Sequence, residues 1–365
     1  MPPLTLLIKP VSGACNMRCR YCFYTDVMAH RETPVYARMS DELLETLVRR
    51  AMAYADGSVS FAFQGGEPTL AGLPFYEKLV KLQKAYNARG LQIHNALQTN
   101  GYDLTDDMIA FFAREGFLLG LSMDGDRETH DRMRPDAAGR PTFDRVAQTA
   151  ERLQSAGVQF NILCVVNEHV ARRPREVFEA LAPYRYLQFI ACLDDFDGSR
   201  QNYSLTEESY LAFLKTTFDL YDRAFWAGRP VSVRNFDNYV AMLMGAPPEN
   251  CAMRGQCGPY FVVESDGGVY PCDFYVLDEW RLGSVCDANF RRLAASPPQT
   301  RFRQESLPLP EPCRGCRWYP LCRNGCKRER DPLTGLNRWC HCFRAFFEYA
   351  CVRMERMAGA LEKQG

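Results

Sequence analysis

Cys15-Asn16-Met17-Arg18-Cys19-Arg20-Tyr21-Cys22 is the stretch on which the reading of this chain turns. Its C-x3-C-x2-C spacing supplies three thiolates, whereas a four-iron cluster has four irons to ligate. One iron is left for a small molecule that binds the cluster and is changed there. Structural zinc is the competing account of clustered cysteines, but it uses four ligands in paired knuckles, which this spacing suits poorly. On the triad alone both readings stand.

Composition narrows the classes. A chain of 365 residues accommodates one large domain plus a smaller one, and 47% hydrophobic with 24% charged residues is ordinary globular composition. Lys and Arg total 44, as do Asp and Glu, so no overall basic field exists to attract nucleic acid or an anionic membrane. The N-terminal run Met1-Pro2-Pro3-Leu4-Thr5-Leu6-Leu7-Ile8-Lys9-Pro10 lacks the basic start and small-residue cleavage site of a secretion signal. No apolar run reaches membrane-spanning length, and a cytoplasmic protein is expected. Sixteen cysteines in reducing cytosol are better explained by metal or cluster ligation than by disulfides, and oxygen sensitivity follows.

The first half alternates short apolar runs with helical patterns. Strands are expected at 4–11, 59–64, 92–98, 117–122, 159–166 and 186–193. Ser40 caps one intervening helix, Pro74 opens the next, Thr105 and Gly116 bracket a third, Thr142 and Gly157 a fourth, and 172–182 forms a fifth. Such alternation implies parallel strands joined by right-handed crossovers. Six units are too few for a closed eight-stranded barrel, so a partial barrel is expected, with a doubly wound sheet as the runner-up. Either places a site at the carboxyl ends of the strands. The triad, Gln64-Gly65-Gly66-Glu67-Pro68, Asn100-Gly101, Ser122-Met123-Asp124-Gly125 and Leu193 all fall there. Residues 204–244 read as helical until Gly245-Ala246-Pro247-Pro248. A cysteine-rich domain begins at Cys251, with a hairpin around Asp266-Gly267-Gly268 and a C-terminal helix over 339–362.

The triad with Tyr21 before its last cysteine, followed by Gly65-Gly66-Glu67-Pro68 after the second strand, resembles a radical S-adenosylmethionine enzyme. The resemblance implies a partial (β/α)6 barrel and S-adenosylmethionine chelating the open iron. Paired glycines permit close backbone approach to a ligand, and Glu67 can accept a hydrogen bond from an ammonium group. The resemblance places Tyr21, Gln64, Gly65, Gly66, Glu67, Ser122, Arg134 and Leu193 at the cofactor site. Downstream, Cys257 and Cys272 fit C-x9-G-x4-C, and Cys313, Cys316, Cys322 and Cys326 fit C-x2-C-x5-C-x3-C, with Cys340 after a gap. This resembles the SPASM extension, and Cys251 completes eight ligands for two further clusters. By that resemblance Cys251, Cys257, Cys272 and Cys326 hold one auxiliary cluster and Cys313, Cys316, Cys322 and Cys340 the other, giving three [4Fe-4S] clusters in all. Cys342 stands as an alternative to Cys340, and zinc knuckles remain the structural alternative. The remaining Cys164, Cys192, Cys286 and Cys351 read as small buried hydrophobes. The implied domains are a barrel over 1–230, a connecting segment over 231–250 and a SPASM domain over 251–365.

Over nearly the whole chain, including Ser60 to Gly72 and Phe261 to Leu277, the sequence resembles the anaerobic sulfatase-maturating enzymes, which oxidise a Cys or Ser of a sulfatase to Cα-formylglycine. Such an oxidation removes a hydrogen from Cβ, a proton from the heteroatom and one further electron, and a positioned carboxylate can take the proton. In the family an aspartate directly after the auxiliary-cluster cysteine is that base, which here is Asp273 after Cys272. The implied partners are an unfolded sulfatase segment with a Cys/Ser-x-Pro-x-Arg core and an electron donor such as flavodoxin or ferredoxin. The alternative is a SPASM maturase forming thioether or carbon–carbon crosslinks in a precursor peptide. Those enzymes often carry an N-terminal precursor-binding module, whereas here the first strand is expected near Leu4.

Overall fold

In the computed structural model, residues 2–363 are described. The chain forms β1 (Leu4–Ile8), α1 (Phe23–Ala29), α2 (Asp41–Tyr54), β2 (Ser58–Phe63), α3 (Leu73–Tyr86), β3 (Gln92–Thr99), α4 (Asp106–Arg114) and β4 (Leu118–Ser122). After α5 (Arg127–Met133) and α6 (Phe143–Ser155) come β5 (Phe160–Val166), α7 (Glu168–Ala171), α8 (Pro174–Leu181) and β6 (Tyr186–Ala191). There follow α9 (Glu207–Trp226), β7 (Ser232–Val233), α10 (Arg234–Leu243), β8 (Phe261–Val263), β9 (Gly268–Tyr270) and β10 (Gly283–Ser284), and a long helix, Cys340–Glu362, ends the described chain.

All six strands expected from the apolar runs form, and so do the intervening helices, although Thr142, which precedes α6, makes no capping bond and donates its hydroxyl to Arg134 O at 2.6 Å instead. The Ser40 hydroxyl accepts from Leu43 N–H and the Thr105 hydroxyl from Met108 N–H, satisfying donors that open α2 and α4. The expected helix over 204–244 is instead two helices. Gly228, with φ +69°, and Pro230 follow α9, the chain reverses, and β7 forms before α10 begins.

The residues pack as two compact units. The first comprises the chain up to Ser122 with Asp131–Phe160 and Pro259–Phe302. Its strands lie in the order β10-β9-β8-β1-β2-β3-β4. Neighbours from β1 to β4 run parallel, with Ile8 opposite Phe63 and Phe63 opposite Leu97. On the other side of β1, β8 adds in parallel with Leu6 opposite Phe261, and β9 and β10 follow antiparallel. The alternating burial of Val59, Phe61 and Phe63 in β2 faces a ring cluster in which Tyr76 meets Phe63 at 5.4 Å and Phe112 at 5.3 Å, edge to face.

The second unit comprises Met123–His130, Asn161–Gly258 and the chain from Arg303 onward. It contains the parallel trio β5-β6-β7, with Val166 opposite Ala191 and Leu187 opposite Val233. Here α9 and α10 pack on the C-terminal helix through Phe218 and Phe346, 5.7 Å apart, and Phe236 and Phe346, also 5.7 Å apart. The hairpin of 259–302, which the cysteine motifs assign to the C-terminal domain, thus packs with the N-terminal strands because β8 completes the open edge of β1. Among the described residues no helix is long and apolar enough to cross a membrane.

Candidate active site

The cysteine loop leaves β1 and is braced on three sides within the first unit. Lys9 N–H donates to Val263 O at 2.9 Å, fastening the loop's start to β8. Arg18 and Arg20 N–H groups each donate at 2.9 Å to the carbonyls of Pro135 and Met133, and Ala137 N–H donates to Asn16 O at 3.1 Å. From the β2 side, Gly66 N–H donates to Ser12 O at 2.9 Å and Glu67 N–H to Ala14 O at 2.8 Å. These contacts fix the backbone that carries Cys15, Cys19 and Cys22.

They also explain the paired glycines. Gly65 has φ +122°, and a Cβ there would lie 2.7 Å from Ser12 O. A Cβ on Gly66 would lie 2.0 Å from Ala14 O and 2.5 Å from its carbonyl carbon. Within the chain, the close approach that the paired glycines permit is made by the cysteine loop's own backbone. Glu67 likewise has an internal role. It is 1% exposed, and its Oε1 accepts from Thr69 N–H at 3.0 Å, the Thr69 hydroxyl at 2.7 Å and the Thr99 hydroxyl at 2.9 Å. Its Oε2 accepts from Asn100 N–H at 2.7 Å. The carboxylate ties the turn after β2 to the end of β3, against a burial that pushes its pKa up. Only Oε2 retains acceptor capacity in quantity for an ammonium group.

Around the sulfurs the donors are set. Cys15 Sγ accepts from Met17 N–H at 3.4 Å and from Asn100 Nδ2 at 3.7 Å, and Arg134 Nη1 stands 3.9 Å from Cys19 Sγ. Arg134 also lies over the Tyr21 ring at 5.3 Å, so both residues flank the triad. Burial holds the Cys15 thiol protonated, up to about 11, so its thiolate needs a compensating cation such as cluster iron. Three cysteines on one braced loop, with N–H donors turned toward the sulfurs of Cys15 and Cys19, fit a cluster with one open iron.

Asp273 follows Cys272 after β9 and is 8% exposed. Its Oδ2 accepts from the Tyr24 hydroxyl at 2.6 Å and from Gln64 Nε2 at 3.2 Å. Lys9 Nζ lies 3.1 Å from Oδ1, in an ion pair not aligned as a hydrogen bond, and 4.2 Å over the Tyr24 ring. Burial and the adjacent Asp273 charge push the Tyr24 pKa well up, so Tyr24 stays a donor. Sequence placed Gln64 with the cofactor; the structure puts its amide on Asp273. Lys9 and Tyr24 escaped sequence analysis, although a lysine closing an otherwise apolar strand was a signal for the first.

The auxiliary cysteines divide between the units. Cys272 belongs to the first, beside Asp273. In the second, burial above all, then the Glu329 charge and, less, the nearby Cys251 and Cys257, push the Cys326 thiol up to about 12. Cys313, Cys316, Cys322 and Cys340 line one small cavity, and Trp318, which also lines it, keeps its buried indole N–H without an acceptor. Four thiols and an unspent donor around one void fit a cluster whose sulfurs accept that hydrogen bond. Cys342 is buried but does not line the cavity. Ser122 closes β4 and Leu193 follows β6, each at a strand's carboxyl end within its own unit. Cys164, Cys192 and Cys351 are buried as expected, but Cys286 is exposed. Val285 takes the core position there, and the Ser284 hydroxyl accepts Cys286 N–H in a turn that carries the thiol outward.

The family model for the Radical SAM superfamily matches residues 10–181, and the SPASM model, an iron–sulfur cluster-binding domain, matches 251–317. A cysteine-type anaerobic sulfatase-maturating enzyme from Clostridium perfringens is 43% identical over 99% of this chain and 100% of its own length. A serine-type anaerobic sulfatase-maturating enzyme from Bacteroides thetaiotaomicron is 32% identical over 99% of this chain and 93% of its own. The solved structure of native anSMEcpe with bound AdoMet and Cp18Cys peptide superposes with a TM-score of 0.94, at 43% identity, covering 99% of this chain and 100% of that one. The partial barrel expected from six β/α units is therefore the fold, and the chain belongs to the anaerobic sulfatase-maturating enzymes, radical S-adenosylmethionine oxidoreductases with a SPASM iron–sulfur domain.

Proposed function

We propose that this enzyme oxidises a cysteine side chain in a sulfatase-type peptide with a Cys-x-Pro-x-Arg core to Cα-formylglycine. The observation that carries the reading is the Asp273 carboxylate, set one residue after Cys272 and held by Tyr24, Gln64 and Lys9. Cysteine is favoured over serine because identity to the cysteine-type relative is 43% and to the serine-type relative 32%. Full-length identity to sulfatase-maturating enzymes supports this over peptide crosslinking.

When loaded, the cofactors supply a 5′-deoxyadenosyl group that takes a hydrogen atom from Cβ and an iron–sulfur acceptor for one electron. The chain's part is to receive the thiol proton and hold the substrate. Asp273 is that base: loss of one hydrogen atom, one proton and one electron converts the CH2–SH side chain to a thioaldehyde, which water hydrolyses to the aldehyde and hydrogen sulfide. Tyr24 and Gln64 donate to the same oxygen, Oδ2, so Oδ1, beside Lys9, is the oxygen with a free acceptor direction for the thiol proton.

Three four-iron clusters complete the reading. The first is on Cys15, Cys19 and Cys22, with Tyr21, Gln64, Gly65, Gly66, Glu67, Ser122, Arg134 and Leu193 around S-adenosylmethionine. Cys251, Cys257, Cys272 and Cys326 take the second, on the family's ligand pattern, and Cys313, Cys316, Cys322 and Cys340 the third, a set supported by their shared cavity. The domains follow the motifs: barrel 1–230, connector 231–250 and SPASM 251–365. An electron carrier such as flavodoxin or ferredoxin serves the protein in the cytoplasm, and neither nucleic acid nor membrane takes part. The test is anaerobic incubation with reductant, S-adenosylmethionine and a Cys-x-Pro-x-Arg peptide. The mass change from a CH2SH to a CHO side chain is expected; cofactor cleavage with an unchanged peptide would overturn the assignment.

A further inference from the structure

Asn100 follows β3, is 8% exposed, and has its backbone N–H and both side-chain polar atoms engaged. Its backbone N–H donates to Glu67 Oε2 at 2.7 Å, and its Oδ1 accepts from Tyr102 N–H at 2.9 Å. Its two amide hydrogens have two acceptors: Asn16 Oδ1 lies 2.8 Å from Nδ2, and Cys15 Sγ lies 3.7 Å away. The orientation is fixed, because a flipped amide would turn oxygen toward both of these and nitrogen toward the Tyr102 N–H. Asn16 is fixed in turn: its Nδ2 donates to Asp103 Oδ2 at 2.8 Å, which aims its carbonyl at Asn100, and Arg145 pairs with Asp103 from outside.

An amide hydrogen aimed at a thiolate acts unequally on the two oxidation states of a cluster. Reduction adds one negative charge, spread over the thiolate and sulfide sulfurs, and an N–H dipole stabilises the more negative state more. The effect is largest where water is excluded, as at this nearly buried residue.

We propose that Asn100 is a positioning residue that holds the Cys15 thiolate through an N–H···S bond and thereby raises the reduction potential of the cluster on Cys15, Cys19 and Cys22. The proposal rests on the triad being that cluster's ligand set. Asn16 and Asp103 serve it by locking the amide, so the array from Arg145 to Cys15 connects an exposed ion pair to the cluster's first ligand. The Glu67 carboxylate joins the same residue from the other side, which links the Gly65-Gly66-Glu67 turn to the cluster through Asn100.

The test is an EPR-monitored redox titration of the loaded enzyme, reading the signal that changes on adding S-adenosylmethionine. At a potential where half of the wild-type cluster is reduced, Asn100→Leu should lower its reduced-to-oxidised ratio about fivefold, the scale of one ordinary net hydrogen bond, with auxiliary signals unmoved. Asn100→Ser, a smaller change that also cannot reach the sulfur, should lower it similarly and decides the matter if the leucine variant loads iron poorly. Asn16→Ala should shift the ratio in the same direction by less. An unchanged ratio in the Asn100 variants at full iron content overturns the proposal. Cys15→Ala with full iron and an intact signal would overturn the ligand assignment instead.

Discussion

Gly66→Ala is the sharpest test of how the cysteine loop is held. The added methyl would sit 2.0 Å from Ala14 O, whereas real Cβ contacts do not fall below 3.0 Å. The carbonyl must retreat by about 1 Å, and although Ala14 is exposed, its peptide is tied by Ala14 N–H to Val11 O as well as by Glu67 N–H, so the shift falls on those bonds. Retreat breaks or stretches Glu67 N–H to Ala14 O, 2.8 Å, and Gly66 N–H to Ser12 O, 2.9 Å. Two backbone hydrogen bonds at a net 0.5–1.5 kcal/mol each, plus overpacking of 1–3 kcal/mol, put the local cost at about 2–6 kcal/mol. The cost falls on the segment leading into Cys15, one residue on, so the displaced thiolate should cost the protein its first cluster, about a third of its iron. Iron and sulfide analysis after anaerobic reconstitution, with S-adenosylmethionine cleavage alongside, reads the result. Gly57→Ala is the control: φ is +69° with nothing within 4 Å, so it should cost about 1–2 kcal/mol of stability and no iron. Full iron and normal cofactor cleavage in Gly66→Ala would refute the steric argument.

Asp273→Asn should retain S-adenosylmethionine cleavage while peptide oxidation falls at least about a hundredfold, the usual worth of a positioned base, measured by mass spectrometry of one reaction. Lys9→Met removes the cation 3.1 Å from a nearly buried carboxylate and should destabilise the chain by about 3–5 kcal/mol in denaturant titration. Cys340→Ser should cost one auxiliary cluster, whereas Cys342→Ser should leave iron intact, because only the former lines the cavity with Cys313, Cys316 and Cys322. Thr105→Ala removes the hydroxyl that caps α4 and should lower stability by about 1 kcal/mol with activity unchanged.

Local signals carried the strands, caps and cysteine spacings, because each rests on residues near one another in the chain. Val59, Phe61 and Phe63 alternate within six residues, and Ser40 caps a donor three residues on. What escaped reading depends on distant partners. Tyr24 acquires meaning from Asp273, 249 residues away, and Asn100 from Cys15, 85 residues away. The double glycine was legible as a place of close approach, but not what approaches it. The role proposed for Asp273 rests on family resemblance, and spacing alone carries no sign of the three side chains that hold it. The two-residue strand β7 lies below any periodicity, and Gly228 and Pro230 break a stretch whose pattern is helical on both sides.

The parallel pairing of β1 with β8 sets an order of assembly. Leu6 is made well before its partner Phe261, from which most of the described chain separates it. At about 5–20 residues per second the ribosome leaves that edge of β1 without β8 for on the order of tens of seconds. An open apolar strand edge invites pairing with other chains during that interval. The same delay keeps Lys9 and the start of the cysteine loop from their final anchor on Val263 until the hairpin bearing Cys272 and Asp273 has emerged. The start of the cysteine loop is thus fastened by chain made just ahead of Cys272 and Asp273.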